Sequence, residues 1–251
     1  MLSVRRTRVL NALVDEYVLT TLPVSSSVLA ERYLPGVSSA TIRNELYGLE
    51  SAGLAFSPHT SAGRIPTNQG YRYFVNHLLL RPLPLAGGSV VETIAGGSVV
   101  EAQSAGESLA ALQTNMHSRV RQLLEALSES TGLLALFWDR EANLGLVVRG
   151  LSRLLMQPEF NDSSRLLPVM SLIEEQDTLV HMMEESLELA DLSVLIGLEP
   201  SGILAGYTLL SRRSDGQTAI ISLLGPTRME YRLALSALDG IARLSISMPR
   251  A

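Results

Sequence analysis

Ser38-Ser39-Ala40-Thr41-Ile42-Arg43-Asn44-Glu45-Leu46-Tyr47-Gly48-Leu49, then Ser57-Pro58-His59-Thr60-Ser61-Ala62-Gly63-Arg64-Ile65-Pro66, are the two stretches on which the reading of this chain turns. Ser38 has the side chain of a good helix N-cap, and a helix is expected from the next residue to about Ala52, with Gly53 as its stop. Ile42, Leu46 and Leu49 recur at i, i+4 and i+7, which makes one buried stripe. The remaining face carries Ser39, Ala40, Arg43, Asn44 and Tyr47, with Thr41 at its flank and no acidic residue before Glu45. Arginine can address guanine and asparagine adenine, while small Ser, Thr or Ala side chains can approach the thymine methyl.

Upstream, Val9, Leu10, Leu13, Val14 and Tyr17 predict a first helix over about Val4–Leu19, which Pro23 prevents from continuing. A second helix is expected from about Ser25, its N-cap, to Tyr33, with Val28 and Leu29 inward and a turn at Pro35-Gly36. Two short helices, a tight turn and a helix with a polar face are the helix-turn-helix plan. An ordinary helical bundle with a solvated face fits the same three helices. The downstream stretch favours DNA. Leu54–Phe56 reads as a short strand, and the polar loop leads back to a second, so the two form a wing. Arg64 is expected to enter a minor groove, and Thr60 and Ser61 to hold phosphates. A last helix, about Thr67–Leu80, turns Tyr71, Phe74, Val75 and Leu78 inward.

Composition narrows the function classes. With 251 residues, 46% hydrophobic and 18% charged, the chain can build a packed core in one or two domains. A net charge of −5 excludes a uniformly basic nucleic-acid binder. The charge is split: residues 1–80 hold 7 Arg against 5 acidic residues, and residues 81–251 hold 13 Arg against 20. The absence of cysteine excludes a disulfide framework, a thiolate zinc site and a cysteine nucleophile. All 20 basic residues are arginine, which excludes a lysine phosphate loop and Schiff-base chemistry. The start, Met1-Leu2-Ser3-Val4-Arg5-Arg6, has no apolar run behind it, so no signal peptide is expected. Leu189–Leu210 is broken by Asp191, Glu199 and Pro200 and reads as two core strands around a turn, not a membrane span. A soluble, cytoplasmic protein without a membrane partner is expected.

Residues 81–108 hold Pro82, Pro84 and many Gly, Ser and Ala, and repeat Ala-Gly-Gly-Ser-Val-Val-Glu at Ala86–Glu92 and Ala95–Glu101. They are read as a low-complexity linker between a 1–80 head and a 109–251 body. In the body, an amphipathic helix is expected over Leu109–Leu127, strands over Leu133–Trp138 and Leu144–Val148, and a helical turn from Leu151 to Met156. A helical stretch over Ser164–Leu189 is expected to break near Pro168. Strands follow at Leu192–Leu198, Ile203–Leu210 and Thr218–Leu224, the last two joined by a hairpin turn at Ser214–Gln217, and a helix runs from Met229 to about Leu244. The fold class is α+β, with an antiparallel sheet flanked by helices.

Four stretches carry a family resemblance. Tyr33-Leu34-Pro35-Gly36-Val37-Ser38-Ser39-Ala40-Thr41-Ile42-Arg43-Asn44-Glu45-Leu46 with Leu49-Glu50, and Pro58-His59-Thr60-Ser61-Ala62-Gly63-Arg64-Ile65-Pro66-Thr67 with Gly70-Tyr71-Arg72-Tyr73, resemble the HrcA family. So do Gly150-Leu151-Ser152-Arg153-Leu154-Leu155-Met156-Gln157-Pro158-Glu159-Phe160 and Leu224-Gly225-Pro226-Thr227-Arg228-Met229-Glu230-Tyr231, in the same order. The resemblance implies a bacterial, heat-inducible transcription repressor with a winged-helix head and a GAF-like body. It further implies double-stranded DNA with an inverted-repeat operator at chaperone operons, a homodimer, and modulation by chaperonin. Ser39, Ala40, Thr41, Arg43, Asn44 and Tyr47 would then face the major groove, with Thr60, Ser61, Arg64 and Arg72 acting from the wing and the helix after it. The chain departs from the family between the strand at Leu133–Trp138 and Gly150-Leu151, where Asp139–Arg149 leaves no room for the family's inserted dimerisation domain.

No catalytic constellation emerges, and no metal or cofactor is expected. His59, His77 and His117 stand alone, and His181 with Glu184 and Glu185 reads as a solvated helix face. Glu174-Glu175-Gln176-Asp177 reads as a charged face. There is no Gly-x-Ser-x-Gly or Gly-x-Gly-x-x-Gly motif. Pro226-Thr227-Arg228 reads as a helix cap with Arg228 in an ion pair before it reads as an anion site. The other class of function that fits is a small-molecule-sensing or protein-interaction module built from the same parts, which the weak charge of the head and the missing insertion favour.

Overall fold

The computed structural model describes residues 2–59, 62–80, 109–141, 144–197, 206–214 and 218–243. Thr60 and Ser61, the linker expected over 81–108 and residues 215–217 of the expected hairpin turn lie outside them. The chain forms two compact units. The first is Met1–Pro82 together with Thr227–Tyr231, and the second is Leu83–Pro226 together with Arg232–Ala251.

The first unit is a winged helix. Its helices are α1 (Val4–Thr20), α2 (Ser26–Arg32), α3 (Ser39–Ser51) and α4 (Asn68–Leu79), with strands β1 (Ala55–Phe56) and β2 (Ile65–Pro66) between the last two. Each helix opens on a hydroxyl cap: Ser3, Ser25, Ser38 and Thr67 accept from the backbone N–H of Arg6, Val28, Thr41 and Gly70 at 3.1–3.3 Å. Val9, Leu10, Leu13 and Val14 meet Leu29, Ile42, Leu46, Leu49, Phe74 and Val75 in the buried core. Tyr17, Val28 and Leu78, expected inward, are only half-buried. β1 and β2 pair antiparallel, Ala55 with Pro66 and Phe56 with Ile65. A third element joins this hairpin from before α2: the Val24 N–H bonds to the Arg64 carbonyl at 2.9 Å and the Arg64 N–H to the Val24 carbonyl at 2.8 Å.

Two further features lock the first unit. Glu16 of α1 is buried and accepts from Arg32 Nη1 and from the Tyr33 hydroxyl, both at 3.0 Å. Burial, and then the hydrogen bond to Glu16, push the Tyr33 hydroxyl from its ordinary value near 10 up to about 12. The folded chain therefore keeps a proton that the unfolded chain releases. Tyr33 supports the fold fully below pH 10, and that support is lost as pH rises to about 12. Tyr33→Phe is expected to flatten this alkaline decline, read as thermal midpoint against pH; an unchanged slope would contradict it. The other feature is Tyr231, whose ring centroid lies 5.7 Å from that of Tyr71 and 6.4 Å from that of Phe74. Its hydroxyl donates to the Thr227 carbonyl at 2.8 Å, and Arg228 Nη1 donates to the Val18 carbonyl at 2.6 Å.

The second unit is an α+β domain built on one five-stranded sheet, ordered β4-β3-β7-β6-β5 and antiparallel throughout. Its strands are β3 (Leu134–Trp138), β4 (Val147–Arg149), β5 (Leu192–Ile196), β6 (Tyr207–Arg213) and β7 (Ile220–Pro226). The helices are α5 (Leu109–Thr131), α6 (Leu151–Leu155), α7 (Ser163–Glu174), α8 (Gln176–Ser186) and α9 (Tyr231–Arg243), with a 3-10 turn at Pro158–Asn161. Alternation along β3 sends Leu134 and Leu136 into a cluster with Leu154, Val169, Leu172 and Met183. The intervening Ala135 and Phe137 are also buried, as are Leu210, Ile221 and Leu223, so these strands are apolar on both faces. Trp138, the one tryptophan of the chain, donates from Nε1 to Glu184 at 3.1 Å, and Arg140 reaches the same carboxylate oxygen at 2.9 Å. Burial pushes the Glu184 pKa up, but these two hydrogen bonds outweigh it and hold the carboxyl below its usual range.

Several boundaries differ from the sequence expectations. The helical break falls at Glu175, where ψ is 65°, and not at Pro168, which lies inside α7. Proline there forfeits one bond to the preceding turn, and the packed cluster around Val169 and Leu172 holds the helix through it. β4 begins at Val147 and not at Leu144, after Gly145 turns the chain at φ +66°. β6 runs on to Arg213 where an end at Leu210 was expected, the expected start at Ile203 lying outside the described residues; β7 runs Ile220–Pro226 where Thr218–Leu224 was expected, and α9 starts at Tyr231, not Met229.

Candidate nucleic-acid interface

α3 presents the polar face that its sequence predicts. Ile42, Leu46 and Leu49 are buried beneath it, while Ser39, Ala40, Arg43 and Asn44 are exposed and Tyr47 is 52% exposed. Thr41 is half-buried, and its hydroxyl lies 2.9 Å from that of Ser38, so it takes part in capping. Arg43 has no carboxylate within ion-pair distance among the described residues. Its charge is available to a ligand.

The acidic residues of α3 do not oppose that charge. Glu45 accepts from Arg6 Nε at 3.0 Å, and the Arg6 guanidinium lies over Gly48, 2.5 Å from where a β-carbon would stand. Glu50 pairs with Arg64, with Nη2 at 2.9 Å and Nε at 3.0 Å from one carboxylate oxygen. Both carboxylates are thereby neutralised in place, and a polyanion approaching α3 meets Arg43 and Asn44 without a bare negative charge beside them.

The wing residues stand differently from expectation. The sequence sends Arg64 outward to a minor groove; the structure turns it inward, its side chain 15% exposed. Two causes combine. Its backbone is tied to Val24, and its guanidinium is drawn to Glu50 and lies 5.2 Å from the centroid of the Tyr47 ring. Arg72 is half-buried on α4 and forms no ion pair among the described residues. Between α3 and the wing lies a cleft of about 250 Å³ lined by Ser25, Ser26, Arg43, Tyr47, Gly63 and Arg64.

The sequence reading missed Arg6, Glu50 and Val24. A local signal existed for Glu50, an acid at the end of an otherwise acid-poor face. Arg6 and Val24 act across long stretches of chain, and no local signal marks them. Among the described residues, no group of three His, Asp or Glu side chains could hold a metal ion. His181 is exposed, with Nε2 3.8 Å from a Glu185 oxygen on the same helix face. No described helix is long and apolar enough to cross a membrane.

Comparisons with known proteins agree with this arrangement. The family described as HrcA protein C terminal domain matches residues 91–234, more than half of the chain. The heat-inducible transcription repressor HrcA of Oceanobacillus iheyensis is 26% identical over 330 aligned positions, covering 96% of each chain. That alignment is longer than the 251 residues here, so the relative carries residues with no counterpart in this chain. The HrcA of Thermobifida fusca is 51% identical over 90 residues, 36% of this chain and 26% of that protein. A crystal structure of a hypothetical protein, solved at 2.2 Å, has the same fold, with a TM-score of 0.76 at 17% identity and 97% coverage of both chains. From the described winged helix and antiparallel-sheet domain, and from the match over most of the second unit, it follows that this chain belongs to the HrcA family of heat-inducible transcription repressors.

Proposed function

We propose that this protein is a sequence-specific repressor that binds an inverted-repeat operator of class I heat-shock (chaperone) operons and is modulated by chaperonin. The observation that carries the reading is the α3 face, with Arg43 and Asn44 free and exposed and Glu45 and Glu50 each held by an arginine. Ser39, Ala40, Thr41, Arg43, Asn44 and Tyr47 address the major groove. Thr60 and Ser61 act from the wing with Arg64, and Arg72 acts from α4. A two-fold operator calls for a homodimer, because half-sites mirror protein symmetry. The names of the curated relatives support the repressor role. Its place is the bacterial cytoplasm.

Arg43→Ala tests the reading base by base. On a duplex selected from a random pool by the native chain, it is expected to cost about 1–3 kcal/mol, and to relax selectivity at one base pair in each half-site. Fluorescence anisotropy on single-base variants reads this directly. Uniform weakening across all variants would mean that Arg43 contacts only phosphate. If the native chain selects no sequence, the other reading gains. The weak charge of the head and the relative's unmatched residues favour a small-molecule-sensing or protein-interaction module, which ligand-dependent thermal stabilisation would reveal.

A further inference from the structure

Arg64 combines three observations that no DNA contact explains. Its side chain is only 15% exposed, although it stands in the wing directly before β2. Two of its guanidinium nitrogens are within 3.0 Å of one Glu50 oxygen, which spends its charge inside the protein. Its guanidinium carbon lies 5.2 Å from the centre of the Tyr47 ring, a cation–π distance, and Tyr47 is the exposed residue one turn beyond Arg43 on the same face of α3.

The main chain fixes where this side chain begins. Arg64 exchanges both backbone hydrogen bonds with Val24, and Gly63 runs so close to the Val24 backbone that a β-carbon would collide with it. Arg64 therefore starts from an anchored point, reaches α3 at two residues, and sets its cation against the ring of the half-exposed Tyr47. A free tyrosine on a helix surface samples several rotamers, and each costs selectivity when one must be chosen on binding. A tyrosine held by a cation that is itself held by a carboxylate has made that choice beforehand.

We propose that Arg64 is a positioning residue: it fixes the Tyr47 ring on the DNA-reading face of α3, with Glu50 holding the guanidinium, and so sets base selectivity without itself contacting DNA. The inference rests on the repressor reading above and deepens it. It replaces a minor-groove role for Arg64 with an indirect one, and it makes Tyr47 a specificity-determining side chain.

The test uses the full chain and a duplex selected by the native protein from a random pool, with single-base variants of that duplex, across a salt series. Arg64→Met keeps the apolar stem and removes the cation. It is expected to reduce discrimination about tenfold at the base pair that Tyr47 serves, while the slope of log K against log salt stays unchanged. Glu50→Gln is the decisive partner. It removes a negative charge, so a DNA-contacting Arg64 would bind more tightly and keep its selectivity. A positioning Arg64 would lose selectivity at the same base pair as Arg64→Met. Tyr47→Ala is expected to reproduce that loss, the double variant to add nothing to it, and Arg64→Lys to restore part of it. A salt slope that falls by about one in Arg64→Met, with selectivity intact in Glu50→Gln, would overturn the proposal and leave the repressor reading standing. A native chain that enriches no sequence overturns the repressor reading and the positioning role together.

Discussion

Tyr231→Ala is expected to cost the first unit about 3–5 kcal/mol, the scale for deleting a large buried aromatic. Tyr231 is 1% exposed and, among the described residues, one of the largest fully buried side chains. Its ring packs on Tyr71 and Phe74, the inward residues of α4, so deletion opens a cavity in the winged helix itself. A unit of this size has a total stability on the order of 5–15 kcal/mol, so the loss takes a large share of it. Urea unfolding of the full chain, followed by far-UV circular dichroism, should show an early phase absent from the native protein. Tyr231→Phe is the control. It removes only the hydroxyl donated to the Thr227 carbonyl, and about 1 kcal/mol is expected. Equal midpoints for the alanine variant and the native chain would contradict the packing role. The same argument predicts that residues 1–80 expressed alone are less stable than the head within the whole chain.

Gly63→Ala is the second large effect. The added β-carbon would meet the carbonyl carbon, carbonyl oxygen and nitrogen of Val24, and backbone atoms have no rotamer by which to yield. The wing must lift away from Val24, straining the two hydrogen bonds that Arg64 makes there. Overpacking of this kind costs about 1–3 kcal/mol. Because Arg64 moves with its backbone, Tyr47 and Glu50 lose their partner as well. The variant is expected to melt at lower temperature and to lose discrimination among duplexes. Gly36→Ala makes a useful contrast. Gly36 has φ +88° and open space around it, so alanine there meets backbone strain but no collision, and selectivity should survive. A Gly63→Ala chain that keeps native selectivity would contradict the link from the wing anchor to the reading face.

What could be read from the sequence was local. Ser25 and Ser38 cap their helices because the hydrogen bond closes within three residues, so the signal lies in one short window. Ile42, Leu46 and Leu49 mark the buried stripe of α3 by spacing alone, and its complement is the candidate reading face. The wing was legible from two short apolar returns around a polar loop. Partners distant in sequence were not legible. Val24 meets Arg64, Arg6 meets Glu45, and Tyr231 meets Tyr71, all across long stretches of chain. Arg64 shows the consequence: by residue type it suits a minor groove, and only its partners reveal that its charge is already engaged. Pro168 shows the converse. Its local preference against a helix interior is real, yet the packing around Val169 and Leu172 prevails and the break comes at Glu175.

The central claim, that this chain reads an inverted repeat as a two-fold repressor, is tested most directly by fluorescence anisotropy. The purified full chain would be titrated on the selected inverted-repeat duplex, on one half-site and on a scrambled duplex, across a salt series, with chaperonin present and absent. The account predicts tight binding to the full repeat, much weaker binding to the half-site, and weak, salt-sensitive binding to the scrambled duplex, with the specific binding altered by chaperonin. Equal, steeply salt-dependent binding to all three duplexes would contradict it, because only phosphate contacts would remain.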